Sequence, residues 1–166
     1  MALIEQTMDR IGHPLDVIEQ IAATQDWPFD RSAEDEINLS VAGKWADYQV
    51  CFNWRDDLEG LHLACTFDVK IPPIRLGEVC RLAARVNEHL WLGHFDVWAD
   101  EGVLLFRYGL LLAGGTEPTL PQCEAMLRLA LDACERYFPS FQYVIWAGKT
   151  ADQALECAMF ETVGEA

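Results

Sequence analysis

Apolar and polar positions recur along this chain with two periods, and their order predicts an α+β domain built on an antiparallel sheet. Pro14 suits a first helical turn, and Leu15, Val17, Ile18, Ile21 and Ala22 make one apolar stripe, with Asp16, Glu19 and Gln20 outside it. Trp27-Pro28 ends that helix. Ile37, Leu39 and Val41 then alternate with Asn38 and Ser40, the period of a half-buried strand. After a turn at Gly43-Lys44, Ala46, Tyr48, Val50, Phe52 and Trp54 line one face of a second strand. Leu61, Leu63, Cys65, Phe67 and Val69 line a third, which Pro72-Pro73 stops.

Helical spacing returns with Leu76, Val79, Cys80, Ala83, Val86, Asn87 and Leu90, and Gly93 closes it. Phe95, Val97 and Ala99 alternate with His94, Asp96 and Trp98. Asp100-Glu101-Gly102 reads as a hairpin turn into a strand whose inward face is Leu104, Phe106, Tyr108, Leu110 and Leu112. Pro121 opens a long helix with Met126, Leu127, Ala130, Ala133, Cys134 and Tyr137 inward, and Pro139 is expected to break or restart it. Glu124 with Arg128, and Asp132 with Arg136, have the spacing of helix-supporting pairs. Thr150 and Gln153 form a capping box for a last helix, with Leu155, Ala158 and Met159 as its buried face. The predicted order is α-β-β-β-α-β-β-α plus a C-terminal helix, with five strands in one antiparallel sheet flanked by helices. Residues 1–166 read as a single domain, with 1–12 a weakly patterned, frayed lead-in.

Composition narrows the function classes. At 51% hydrophobic and 23% charged, the chain is too apolar to be disordered. No run of about 18 apolar residues is present to span a membrane. Met1-Ala2-Leu3-Ile4-Glu5 lacks the basic start of a signal peptide, so a cytoplasmic location is expected. Twelve Lys and Arg face 27 Asp and Glu, a net charge of −15 that repels nucleic acid and anionic membranes alike. Cys51, Cys65, Cys80, Cys123, Cys134 and Cys157 form no C-x-x-C pair. Cys65 and Cys80 fall on apolar phases, so the cysteines read as reduced and structural.

Candidate chemistry is thin. His94 and Asp96 share the outward phase of one strand and Cys51 the polar phase of another, but no spacing joins them into a nucleophile site. Glu88, His89 and His94 straddle a helix end, a poor frame for a metal. Gly114-Gly115-Thr116 lacks the lysine of a phosphate loop. No catalytic, cofactor or metal residue is assigned, and the chain is expected not to be an enzyme.

More telling are apolar residues on the wrong face. Val103, Leu105 and Leu111 point outward beside Arg107, as do Trp98 on the hairpin partner and Trp45 on the polar phase of the second strand. One-sided sheets are polar outside. Three covers are open: helices of the same chain, a second copy, or another protein.

The stretch Val86-Asn87-Glu88-His89-Leu90, Gly93-His94-Phe95, Trp98-Ala99-Asp100-Glu101-Gly102 and Leu104-Leu105-Phe106-Arg107-Tyr108 resembles the bacterial YbjN family. So do Tyr137-Phe138-Pro139-Ser140-Phe141-Gln142, Trp146-Ala147-Gly148-Lys149 and the ending Glu161-Thr162-Val163-Gly164-Glu165-Ala166. The resemblance runs from about residue 14 onward. It implies a type III secretion chaperone-like fold that is usually dimeric, without cofactor, among regulators of sensory transduction that have no catalytic residues to carry over. The helix after Thr150 departs from the minimal chaperone pattern and is placed to cover part of a client surface. The expected function is a non-enzymatic regulatory or protein-partner-binding domain, a homodimer whose partner or dimer surface is Trp45, Trp98, Val103, Leu105, Arg107 and Leu111. The alternative is a small-molecule sensor or unrecognised enzyme with a cleft near His94, Asp96 and Trp98.

Overall fold

The computed structural model describes residues 10–163. Its elements are α1 (Pro14–Thr24), β1 (Phe29–Ala33), β2 (Glu36–Ala42), β3 (Asp47–Arg55), β4 (Gly60–Lys70), α2 (Leu76–Asn87), β5 (His94–Trp98), β6 (Val103–Leu111), α3 (Leu120–Ile145) and α4 (Ala151–Val163). The strands form one antiparallel sheet in the order β1-β2-β3-β4-β6-β5. The sheet therefore has six strands, not the five that the alternation predicts. β1 escaped because Phe29-Asp30-Arg31-Ser32-Ala33 has no alternation and is exposed almost throughout. A distant residue pair holds this edge strand instead: Arg31 bridges to Asp16 at 2.7 Å and Glu19 at 3.1 Å on α1.

All the strand-contacting helices lie on one face. α1 packs on β2 and β3, α3 on β4 and β6, and α2 on β5. Between the layers sit the inward residues of each strand, among them Ile37, Leu39, Tyr48, Val50, Phe52, Leu61, Leu63, Cys65, Leu104 and Phe106, with Leu15, Ile18, Val79, Leu82, Met126, Ala130 and Phe141 from the helices. Aromatic edges meet there: Phe95 packs on Phe106 (centroids 5.4 Å apart) and Phe141 (5.1 Å), and Phe67 on Phe138 (5.0 Å). α4 rests on α2 and α3, outside this layer. Its capping box forms as the spacing predicts, with Gln153 N donating to Thr150 Oγ1 and Thr150 N to Gln153 Oε1. Among its described side chains Ala151 and Ala154 are buried and Leu155 and Ala158 half-buried; the Met159 side chain lies outside the described residues.

Two local expectations are corrected. α3 runs unbroken through Pro139. The missing N–H and ring clash cost a helix interior about 3 kcal/mol, but Tyr137, Phe138, Phe141, Val144 and Ile145 are buried on both sides of it, and each such side chain regains about 1.5–3 kcal/mol. Cys80 faces water rather than the core, while Cys65 and Cys134 are buried as free thiols, with Cys134 Sγ donating to Cys65 Sγ at 3.6 Å.

The edge strand β5 is tied down by the end of α2. Asn87 Nδ2 donates to Phe95 O at 2.9 Å, and Phe95 N donates to Asn87 Oδ1 at 2.8 Å. At the opposite end of the sheet, Glu59 accepts from Gly114 N and Gly115 N and pairs with Arg10, whose guanidinium stacks over Trp54. That clasp joins the chain ahead of α1 to the β6–α3 connection.

Candidate functional site

Because the helices share one side, the opposite face of the sheet carries no helix among the described residues. Its side chains follow from the period-two register: Asn38 and Ser40 on β2, Gln49, Cys51 and Asn53 on β3, His62, Ala64 and Thr66 on β4, then Leu105 and Arg107 on β6 and His94, Asp96 and Trp98 on β5. β2, β3 and β4 give this face mostly small or polar, uncharged side chains. On β5 and β6 the character changes.

Arg107 is the hub there. His94 lies directly opposite it on β5, and Ala64 opposite it on β4. Its Nη1 donates to Asp96 Oδ2 at 2.9 Å, and its Nε donates to His62 Nε2 at 3.1 Å. The chain thus aligns a carboxylate, a guanidinium and an imidazole across β5, β6 and β4. The guanidinium holds the Asp96 carboxyl below the usual range, and a bond from Val97 N adds to it. Burial, then Arg107 and His94, push the His62 imidazole below its ordinary value. At neutral pH the cluster is therefore Asp96 anionic, Arg107 cationic and His62 neutral, accepting on Nε2.

That state makes a pH prediction. The folded chain resists protonating His62, whereas the unfolded chain takes the proton near the ordinary value of about 6.5. Stability from this group is complete above that value and declines as pH falls through it. Wild type should lose thermal stability relative to a His62→Gln variant on going from pH 7.5 to 5.5, and the His62 ring signals in NMR should titrate below the ordinary imidazole value of about 6.5. A His62 midpoint at or above that ordinary value would refute the assignment.

The sequence-predicted surface residues divide in space. Trp98, Val103, Leu105 and Arg107 come together: Trp98 pairs with Val103, and Leu105 with Asp96. Leu105 is only 1% exposed and outside the main core, between Thr66 and Asp96, so it supports this face from within. Trp98, 45% exposed, and half-buried Val103 and Arg107 form its accessible part. Trp45 is not on a strand: it sits in the β2–β3 turn, under Lys44 Nζ at 4.8 Å from its ring centroid. Leu111, 69% exposed, lies eight residues from Val103 on β6, roughly 26 Å away.

The Cys51, His94 and Asp96 combination does not assemble. β4 and β6 stand between β3 and β5, a separation of three strand spacings or roughly 14 Å. Cys51 is also a poor nucleophile, since burial pushes its thiol up to about 11. Glu88, His89 and His94 make no ligand set either; among the described residues no group of three His, Cys, Asp or Glu is placed to hold a metal ion. Cavities of about 420, 290 and 490 Å³ lie beside α3 on either flank and at the β5–β6 turn, and none is lined by His94, Asp96 or Trp98. The Arg107–His62 contact was not foreseen from sequence, because it depends on the register of β4 against β6.

A six-stranded antiparallel sheet backed on one side by helices, with its other face bearing charges paired to one another, defines the molecule as a helix-backed α+β domain. The chain belongs to the YbjN family: residues 14–143 match the family described as "Putative bacterial sensory transduction regulator". Among solved structures it is similar to that of the ExsC–ExsE complex, at 23% identity over 73% of this chain and 90% of the other, with a TM-score of 0.52. It is also similar to YbjN from E. coli, described as "a putative transcription regulator", at 12% identity over 73% of this chain and 85% of the other, with the same TM-score of 0.52. Both likenesses are of fold. No curated protein matches the chain. Among the described residues no helix is long and apolar enough to cross a membrane.

Proposed function

We propose that this chain is a non-enzymatic regulatory domain that works as a homodimer and holds a protein partner against the β5–β6 end of its open sheet face, through Trp98, Val103 and Arg107. The observation that carries the reading is the helix-free face itself, where half-exposed Trp98 shares the outward side of β5 with Asp96, the carboxylate that together with His62 fixes the Arg107 guanidinium. Aromatic and arginine side chains are the commonest anchors of protein interfaces. A guanidinium already oriented by two neighbours loses little freedom on meeting a partner. Leu111 lies farther along β6 and Trp45 beyond β4, and both extend the surface; Leu105 backs it. Membership of a family described as regulators supports the reading, as does the solution of a similar fold, ExsC, in complex with ExsE.

Native mass spectrometry of the chain isolated from its host under mild conditions tests it. Wild type should carry a stoichiometric second polypeptide, and a Trp98→Ser/Arg107→Glu variant should have lost it. A partner kept by the variant would move the surface elsewhere. A small bound mass in place of a polypeptide would favour a sensor.

A further inference from the structure

Trp91 is 99% exposed, in the turn between α2 and β5, and Leu92 beside it is half in water. The same turn forms one wall of a cavity of about 420 Å³ whose other wall is the outer side of α3. Leu90, Leu129 and Ala133 give that cavity its apolar lining, and Arg128, Asp132 and Arg136 stand along it. An indole left in water forgoes the burial for which the side chain is suited.

The charges are equally unspent. Arg128, Asp132 and Arg136 follow one another at i, i+4 spacing, which favours pairs within the helix. None of the three takes part in an ion pair among the described residues. Arg136 lies instead over the Tyr137 ring, at 5.5 Å. The patch therefore holds an apolar knob beside an apolar hole, and both signs of charge on one helix.

A surface that carries its own complement fits a second copy related by a two-fold axis, where residue i meets j and j meets i. The overall charge selects the same place. Two chains at −15 repel one another over most of their surfaces. Here Arg128 has no carboxylate partner among the described residues and Arg136 meets only the Tyr137 ring, whereas Arg107 on the sheet face is already committed to Asp96 and His62.

We infer that this groove is the contact between two copies of the chain, with Trp91 and Leu92 of each seated against Leu129 and Ala133 of the other, and Asp132 of each facing Arg128 of the other. The inference rests on the homodimeric part of the proposed function. It leaves the sheet face, on the far side of the molecule, free for a partner.

Sedimentation velocity on the full chain at micromolar concentrations tests it. Wild type should sediment as a dimer. Trp91→Ser should weaken association at least about tenfold, the scale of a central aromatic anchor, without changing the thermal unfolding of the dilute chain, since Trp91 contributes no burial to a single copy. Asp132→Arg should weaken it similarly, and Arg128→Asp combined with Asp132→Arg should restore most of the loss. Trp98→Ser should leave the dimer intact. A wild-type monomer overturns both the inference and the homodimeric reading. A dimer as tight in Trp91→Ser as in wild type, a charge swap that recovers nothing, or a dimer dissolved by Trp98→Ser overturns the inference alone.

Discussion

Replacing Gly93 with alanine is expected to destabilise the chain by about 3 kcal/mol or more, through two additive causes. The first is backbone conformation. Gly93 has φ of 71°, and the left-handed region costs an L-residue roughly 1–2 kcal/mol. The second is space. A Cβ at this position would fall 2.3 Å from Phe106 Cζ and 2.9 Å from the Arg107 carbonyl oxygen. The ring is fully buried and packed edge-on against Phe95, and the carbonyl belongs to a paired strand, so neither retreats freely. Overpacking of that kind costs about 1–3 kcal/mol. Gly109, on the same strand as Phe106, is the control: a Cβ there meets nothing within 4 Å. Urea unfolding should show Gly109→Ala near wild type and Gly93→Ala far below it. Equal midpoints for the two variants would mean that the approach of the α2–β5 turn to β6 is wrongly placed.

The consequence reaches the open face. Gly93 lets the chain enter β5 beside Phe106, and the next residue, His94, is already in register with Arg107. A displaced Gly93 shifts Asp96 and Trp98 with it. Loss of partner binding in Gly93→Ala at temperatures where it remains folded is therefore an expected companion of its lower stability.

Much of this architecture was legible in the sequence because burial is periodic. Ile37-Leu39-Val41 and Leu61 to Val69 could be read as strands, since every second side chain meets the helices. The helices of the sequence reading recur for the same reason. What stayed hidden depends on non-local contacts. β1 has no periodic face, and Arg31 holds it by reaching across to α1. Pro139 looked like an ending because a local rule cannot weigh the aromatic side chains buried around it. Which cover lies over the outward face could not be decided from alternation, since a strand reads alike with helices above or below it. Leu105 and Leu111 share the outward phase, yet one is buried and the other bare, a difference set by position across and along the sheet. The Arg107 cluster is of the same kind: its members lie on β4, β5 and β6, and only the fold brings His62 within reach.

Asn87→Asp should destabilise the chain by about 2–3 kcal/mol at neutral pH and recover part of that loss in acid. The side chain of Asn87 offers an amide N–H to Phe95 O and an amide oxygen to Phe95 N, and so satisfies both backbone groups of an edge residue. Aspartate keeps the acceptor and loses the donor. Its second oxygen then faces the Phe95 carbonyl, lone pair to lone pair, in a half-buried site where neither has water as a full substitute. Only the protonated acid can donate to that carbonyl, so folding raises the carboxyl above its unfolded value of about 3.9. A group raised in this way contributes its stability below the unfolded value and loses it as pH climbs through the folded one. The stability of Asn87→Asp relative to wild type should therefore improve as pH falls from 7 towards 4. Asn87→Leu, which lacks both functions, should show a similar loss at pH 7 but no such recovery. Parallel pH profiles for the two variants would rule out the Phe95 carbonyl as the group that Asn87 serves. The test also isolates how α2 holds β5 in place, because the free edge of that strand has no neighbour in the sheet, and Asn87 bonds its backbone there from α2 while Asp96 of the strand itself takes Val97 N.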